Sequence, residues 1–353
     1  MTRRAGDKGG TKVRIEEVAQ AAQVSAATVS RVLNNPALVT EALREKVLKA
    51  SKKLGYVAHG AARALATRRS RVMGAVVPNL SNSIFADAIE AFQRRLEPHG
   101  YTMLLASYDY DEEMEYRSVR TMIERGVDGL MLVGVNHGKD LYKLLQTSAV
   151  PFAQILAPAR ASEHPTIGYD NATLARIVVD HLAGLGHRDI GVVAGLTRNN
   201  DRVVARLAGL RNALRRHRIP LPEHRIAYAE YRLADVREAF RRIQQHGPMP
   251  SALIANNDVV AHGLLLEALA QGIRVPRQLS ITGVGDLEYA AHLSPPLTTV
   301  RTPKHAIGVM AADYLLARIG DREFAIPAEF PLELVVRGTT AAAPAPRIDQ
   351  GVR

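Results

Sequence analysis

The chain has 353 residues, 47% hydrophobic and 23% charged, a globular composition long enough for two or three domains and a sizeable core. Cysteine is absent, which excludes disulfides, thiolate nucleophiles and Cys-ligated zinc or iron–sulfur centres, and no run of 18 apolar residues exists to span a bilayer. The net charge is +11, and residues 1–71 hold 15 basic and 5 acidic side chains, leaving 31 and 30 for the rest. A basic head on a near-neutral body points to a module that meets a polyanion, above all nucleic acid, against the alternative of a solubilising arm.

Residues 1–12 are polar, glycine-containing and basic, and are expected to be a disordered arm with no apolar stretch of a secretion signal, hence a cytoplasmic location. From Ile15 the pattern turns helical, with Ile15, Val18, Ala19 and Ala22 on one face. Gln23-Val24 interrupts it, Ser25 is placed to cap a second helix, and Val29, Val32 and Leu33 form that helix's apolar face. Asn34-Asn35-Pro36 ends it. Thr40 is placed to cap a third helix, Val47, Leu48 and Leu54 are expected to close a three-helix core, and Gly55 is the stop. Residues 13–57 therefore read as one small domain. Residues 58–71, rich in Ala and Arg, read as a linker whose helix has little to pack against and is marginal alone.

From Val72 strands alternate with helices. Apolar strand-like runs fall at 72–77, 102–106, 129–133, 152–156, 190–193, 252–255, 280–284 and 332–336, with helical stretches at 85–96, 116–125, 172–185, 202–217, 233–246, 259–271 and 306–319. Continuous apolar strands separated by helices imply parallel sheets covered on both faces. Residues 72–340 thus form an α/β body of two lobes, one from about 72–168 with 300–325 and the other from about 170–297 with 328–340. The Ala/Pro-rich residues 341–353 are expected to be a disordered tail.

The head carries the first chemistry. A helix, a short turn and a capped second helix project that helix's polar N-terminal face, a shape that fits the DNA major groove, where each base pair shows its own donors and acceptors. Ser25, Thr28 and Ser30 are suited to phosphates, Arg31 to the O6 and N7 of guanine, and the small Ala26 and Ala27 to close approach and a thymine methyl. The plain alternative is a three-helix protein-interaction module with a solvated face.

The stretches VAQAAQVSAATVSRVLNNP, VTEALREKVLKASKKLGY and AARALATRRS closely resemble the DNA head of the lactose-repressor (LacI/GalR) family of bacterial transcription regulators. The resemblance continues through VVPNLSNSIFADAIEAF, GVDGLMLVG, GHRDIGVVAG, ARLAGL, ALIANNDVVAHGLL and SPPLTTVRTP, covering roughly residues 12–340. It implies an all-α helix-turn-helix head, a hinge helix and a two-lobed body like a periplasmic sugar-binding protein. By the same resemblance, base-reading positions fall on Ala26, Ala27 and Arg31, and phosphate-contacting positions on Ser25, Thr28, Ser30, Asn34 and Thr40. The hinge leucine that wedges into the minor groove falls on Leu65, with Ala62 the close-approach position beside it. Two positions depart from the family pattern. Gln23 stands where a turn glycine is usual, and Ala58-His59 where Pro-Asn is usual.

The body has no Walker loop, nucleophile elbow, HExxH or GxGxxG motif, and His181 and His187 lack metal-ligand spacing. A sensor is expected rather than an enzyme, with no cofactor and no metal. The resemblance puts effector contacts at Ile84, Phe85, Asp170, Arg206, Asn257, Asp286 and Lys304. Sugar-binding members usually carry Gly-Tyr-Asp-Asp where this chain has Gly283-Val284-Gly285-Asp286, and Lys304 falls where some neutral-sugar members carry an aromatic. An acid is lost and a cation gained, so an anionic effector is implied, with Arg206 as a bidentate clamp and Lys304 as a point charge. Val-Gly-Asp and MLLASYDYDEEMEYRSV are also similar to the gluconate-operon repressor branch, which implies a sugar acid such as gluconate. A sugar phosphate or a neutral sugar is the competing effector, and a soluble sugar-binding protein without a DNA role the competing class. The expected assembly is a homodimer on a pseudopalindromic double-stranded operator, without a membrane partner and with no C-terminal leucine heptad for a tetramer.

Overall fold

The structure, a computed structural model, describes residues 13–34, 38–57, 69–80 and 83–344. The chain divides into two compact units, Met1–Arg71 and Val72–Arg353.

In the first unit, α1 (Ile15–Ala21), α2 (Ala26–Asn34) and α3 (Glu41–Leu54) close around Val18, Ala19, Ala22, Val29, Val32, Val47 and Ala50. The face of α3 turned inward is Val47, Ala50 and Ser51, one turn of 3.6 residues, so Leu48 lies off that face and is 43% exposed rather than a core residue. Thr40 stands at the N-cap of α3, but its hydroxyl makes no capping bond.

The second unit holds two sheets. The first has the order β2 (Thr102–Ser107), β1 (Val72–Val77), β3 (Gly129–Val133), β4 (Phe152–Ile155), β5 (Thr166–Ile167), every pair parallel. Alternation along its strands serves two faces. Met73, Ala75, Val77, Met131 and Val133 pack with Phe92 and Leu96 of α4 (Ala86–Leu96) and Ile307 and Leu315 of α11 (Lys304–Ile319). Val76, Leu130 and Leu132 pack with α5 (Glu112–Glu124) and α6 (Lys139–Ser148). The second sheet has the order β11 (Glu333–Val335), β10 (Thr298–Arg301), β9 (Ser280–Gly285), β8 (Ala252–Ala255), β6 (Ile190–Ala194), β7 (Ile226–Tyr228), with only β11 antiparallel among these pairs. Helices α7 (Asn171–Gly184) and α8 (Asp201–Arg216) cover one face, and α9 (Leu233–Gln245) and α10 (Asp258–Ala270) the other.

Strands β5, β7 and β10 and helix α6 are additions to the elements read from sequence. Strand β10 belongs to the second sheet, so the chain returns to the first lobe after Arg301 rather than at 300. Three segments cross between the lobes, after β5, after β10 and before β11. Two lie side by side, with the Phe330 N–H donating to the Gly168 carbonyl at 2.7 Å. The crossings bring the carboxyl ends of the two sheets face to face, the place where open α/β sheets bind ligands.

Candidate functional site

The head presents one helix end. Helix α1 closes on a Schellman turn in which the Gln23 N–H donates to Gln20 O at 3.1 Å and the Val24 N–H to Ala19 O at 3.0 Å. Gln23 carries φ 49°, the left-handed conformation that the missing glycine would favour. Ser25 Oγ accepts the Thr28 N–H at 3.1 Å and shares a hydrogen bond with Thr28 Oγ1 at 2.8 Å, which starts α2 where expected. Val29 and Val32 are buried, whereas Ser25, Ala27 and Arg31 are exposed and Ala26, Thr28 and Ser30 half-buried. The polar face therefore stands clear of the head's core, and Thr40 is exposed at the start of α3. Ala62, Leu65, the Ala58-His59 pair and the side chain of Asn34 lie outside the described residues.

In the body the two lobes are closed on each other at the carboxyl ends of their strands. Asp201, at the start of α8, accepts the Val135 N–H at 3.1 Å, and Asn199 Nδ2 donates to Tyr110 O at 2.8 Å. Gly134 turns at φ +88° directly against the Arg202 guanidinium and the Asp201 carboxylate, so a side chain there would displace the ends of both across the cleft.

Arg206 and Lys304 hold the cleft's charge. Arg206, 6% exposed, projects from α8 and donates through Nη1 to Asn256 O and Oδ1 and through Nη2 to Asn171 Oδ1 at 2.7 Å. All three acceptors are neutral, and Nε is buried with no partner. Burial without a countercharge pulls this guanidinium below its ordinary value. A cavity of about 10 Å³ beneath it, lined by Leu174, Val192, Leu207, Ile254 and Val284, has room for one water at most. Lys304 opens α11 and is 4% exposed, so it is no solvated lysine. Its Nζ donates to Gly285 O at 2.7 Å and pairs with Asp87 Oδ2 at 3.1 Å.

The remaining expected contacts divide. Ile84 and Phe85 are buried in the turn after β1, and Ile84 faces Gly285 across the cleft. Gly285 has φ +131°, so the missing acid is accompanied by a backbone that an L side chain rarely adopts. Asp286 is occupied on both oxygens, by Arg301 at 2.8 Å and Arg337 at 2.7 Å. Asp170 caps α7, accepting from Ala172 N at 2.9 Å and Thr173 Oγ1 at 3.0 Å, and pairs with Arg160 at 2.7 Å. Its burial favours the neutral acid, but those donors outweigh it and hold the carboxyl below its ordinary value. Asn257 caps α10 through Val260 N at 2.9 Å. These three side chains hold loops and helix ends, while Ile84, Phe85, Arg206 and Lys304 line the cleft.

Beside the expected cations stand Arg202 and three groups that sequence reasoning passed over, Tyr110, Tyr231 and Asn171. Arg202 is buried one turn before Arg206; burial opposes its charge, but Asp201 at 2.9 Å together with the phenols of Tyr110, Tyr108 and Tyr231 outweighs that and raises its pKa, and Nη2 has no partner. Tyr110 lies beside Arg202 and Tyr231, with its phenol pushed up by burial. Tyr231 accepts from Asn256 Nδ2 at 3.0 Å. Asn171 joins Arg206 to the first lobe by donating to Leu156 O at 3.3 Å. The signal for the tyrosines was their place: each follows the carboxyl end of a strand, β2 or β7. Among the described residues no cluster of His, Asp and Glu is arranged to hold a metal, and no helix is long and apolar enough to cross a membrane.

Residues 14–59 match the bacterial regulatory proteins, lacI family, and residues 179–340 match the periplasmic binding protein-like domain. The chain is 31% identical to the HTH-type transcriptional repressor CytR of Escherichia coli (strain K12), over 96% of this chain and 99% of that one. It is 31% identical to the HTH-type transcriptional regulator GntR of Pseudomonas aeruginosa, over 92% and 95%. Its fold is similar to the lac repressor dimer bound to operator and the anti-inducer ONPF, with a TM-score of 0.81 at 25% identity, over 94% of this chain and 100% of that one.

Proposed function

The chain belongs to the lacI family of bacterial regulatory proteins and is a DNA-binding transcriptional regulator; from that premise we propose a homodimeric, cytoplasmic repressor whose hold on a pseudopalindromic operator is set by a small anion, a sugar acid such as gluconate. The observation that carries the effector class is Arg206, a buried guanidinium whose partners are all neutral and whose Nε is unsatisfied. A buried cation without an acid is costly, and a ligand carboxylate supplies both the charge and the missing acceptor. Gly285 in place of an acid, and Lys304 buried beside it, support the same sign of ligand. The similarity to a regulator named GntR supports the sugar-acid choice.

In this reading Arg31 reads a base, Ala26 and Ala27 allow close approach, and Ser25, Thr28, Ser30, Asn34 and Thr40 contact phosphates. Leu65, with Ala62 beside it, wedges open the centre of the operator. The second copy has surfaces to meet. Edge strand β2 exposes Leu104 and Leu105 at 37% and 39%, and α10 exposes Leu266 and Leu269 at 42% and 73%. Effector binding shifts the population between two dimer states and so the spacing of the paired hinges.

The test is thermal unfolding of the purified protein across sugars, sugar acids and sugar phosphates, since a ligand of the native state raises the midpoint. Gluconate or a related acid is expected to raise it, and Arg206→Ala to remove the rise. A rise with neutral sugars alone, or with phosphates alone, overturns the sugar-acid reading and leaves the regulator. Turnover of a sugar acid by the purified protein would instead indicate an enzyme.

A further inference from the structure

We infer that Asp87 is the resident counter-ion of Lys304, and that an anionic effector enters by displacing it; the inference rests on the anionic-effector reading above.

The argument begins with an asymmetry. Lys304 and Asp87 form an ion pair at 3.1 Å, but the lysine side chain is 5% exposed and the aspartate side chain 52%. The two members are held very differently. Lys304 is fixed on the other side by Gly285 O at 2.7 Å, at the carboxyl end of β9 in the second lobe. Asp87 sits in the first turn of α4 in the first lobe, with half of its side chain already in water. If the pair parts, the ammonium stays buried with only Asp258 acting on it among the described acids, a carboxylate already held by the Leu287 N–H and the Thr299 hydroxyl and kept toward its neutral form by burial, whereas the Asp87 carboxylate swings into solvent at little desolvation cost. The Asp87 carboxylate is therefore the exchangeable member.

The location gives this exchange a function. Lys304 and Gly285 lie where the two lobes meet, with Ile84 packed against the same glycine. Of the described cations in this cleft, Arg202 is paired with the adjacent Asp201, Arg206 has only neutral partners, and Lys304 has a partner that can leave. A bound carboxylate replaces Asp87 one anion for another, so Lys304 is never left buried and bare. A neutral polyol offers Lys304 no charge in exchange and leaves the pair in place. Asp87 thereby lowers the affinity of every anion and neutralises Lys304 between ligands. It is a positioning residue that acts through Lys304.

The experiment uses full-length protein as wild type, Asp87→Asn, Lys304→Met and the double variant, titrated calorimetrically with potassium gluconate, potassium sulfate and glucose at constant ionic strength. Asp87→Asn is expected to bind both anions about tenfold more tightly, the size of a coupling between contacting charges. Glucose binding is expected to be unchanged, and the tightening to vanish when Lys304 is also replaced. A purely structural Asp87 predicts weaker binding of all three ligands. If wild type binds gluconate and Asp87→Asn binds it equally or less tightly, the counter-ion role is overturned while the effector reading stands. If wild type ignores gluconate but Asp87→Asn tightens sulfate only when Lys304 is present, the counter-ion role stands and the sugar-acid reading falls. Tightening of neither anion overturns the role. Should Lys304→Met fail to fold, Asp87→Glu serves instead: it keeps the charge and is expected to bind gluconate and sulfate as wild type does.

Discussion

Arg206 meets Asn171 at 2.7 Å, a buried cation held by a neutral amide. The same asparagine donates to Leu156 O at the end of β4, so one side chain ties the second lobe's cation to the first lobe's sheet. The arrangement fixes the guanidinium plane without neutralising it, which is what a site for an incoming anion needs.

Arg206→Lys is expected to weaken gluconate binding by at least about tenfold although the charge is kept. A lysine ammonium has no planar fork to hold Asn171 and Asn256 from two separate nitrogens as Arg206 does. Calorimetric titration of the variant checks this. Affinity equal to that of wild type would mean that charge alone, without orientation, holds the ligand.

Gly134→Ala is expected to pry the lobes apart. The added methyl meets the Arg202 guanidinium and the Asp201 carboxylate, and φ +88° is unfavourable for alanine. The combined cost is about 1–3 kcal/mol; the backbone strain belongs to the Gly134 turn itself, and the contact part falls on closure. Small-angle scattering is expected to show a more open body, and the gluconate-induced midpoint rise should shrink. An unchanged scattering curve with unchanged binding would contradict the contact.

Gln23→Gly is expected to stabilise the head by about 1 kcal/mol, because a non-glycine residue in the left-handed region carries a strain of about that size. The strain is present at φ 49° in the Schellman turn between α1 and α2. Amide hydrogen exchange of the head in the full-length protein reads the change, with slower exchange across α1–α3 expected and faster exchange counting against it.

The parallel sheets were legible because their strands are buried on both faces and so appear as unbroken apolar runs, as in GLMLV of β3 and IGVVA of β6. Strands β5 and β10 escaped because one has two residues and the other is TTVR, too short and polar to stand out. The left-handed Gln23 was visible as a departure from a family pattern, and the structure gives it the expected backbone. The cleft was only half legible. Type and position pointed to Arg206 and Lys304, but the use of Asp286 depends on Arg301 and on Arg337, 51 positions away, which no local pattern announces. Asp87 was hidden for the same reason: its role is set by Lys304, on a helix of another segment packed beside its own.

Acid is expected to loosen the second lobe through His181 and His187. Burial holds both below their ordinary value of 6.5, only partly offset at His187 by the Ala341 carbonyl. His187 bridges Ser251 Oγ at 2.8 Å and Ala341 O at 3.1 Å, and His181 reaches Thr340 Oγ1 at 3.0 Å, so both fasten the segment after β11. Both take up their protons at lower pH in the fold than in the unfolded chain, which takes them up near pH 6.5. Stability is therefore complete above that pH and falls as pH drops through it, with a limiting slope of about 1.4 kcal/mol per pH unit for each proton. Urea unfolding at pH 7.5 and 5.5 is expected to show the loss, and His187→Gln to reduce it. A pH-independent difference between the two proteins would remove the histidine from the account.

Arg31→Ala is expected to cost about 1–3 kcal/mol of operator binding and to relax preference at a single base pair, the signature of a lost bidentate base contact. Arg31 is exposed on α2, where Val29 and Val32 turn the other way into the core, so the fold should survive the change. A phosphate-contacting role would instead weaken operator and random DNA alike and lower the salt dependence by about one ion. Competition binding against operator variants at two salt concentrations separates the two. Gluconate titration of the same variant is expected to match wild type, because Arg31 and Arg206 belong to separate compact units. An equal loss of effector affinity would contradict independent reading and sensing modules.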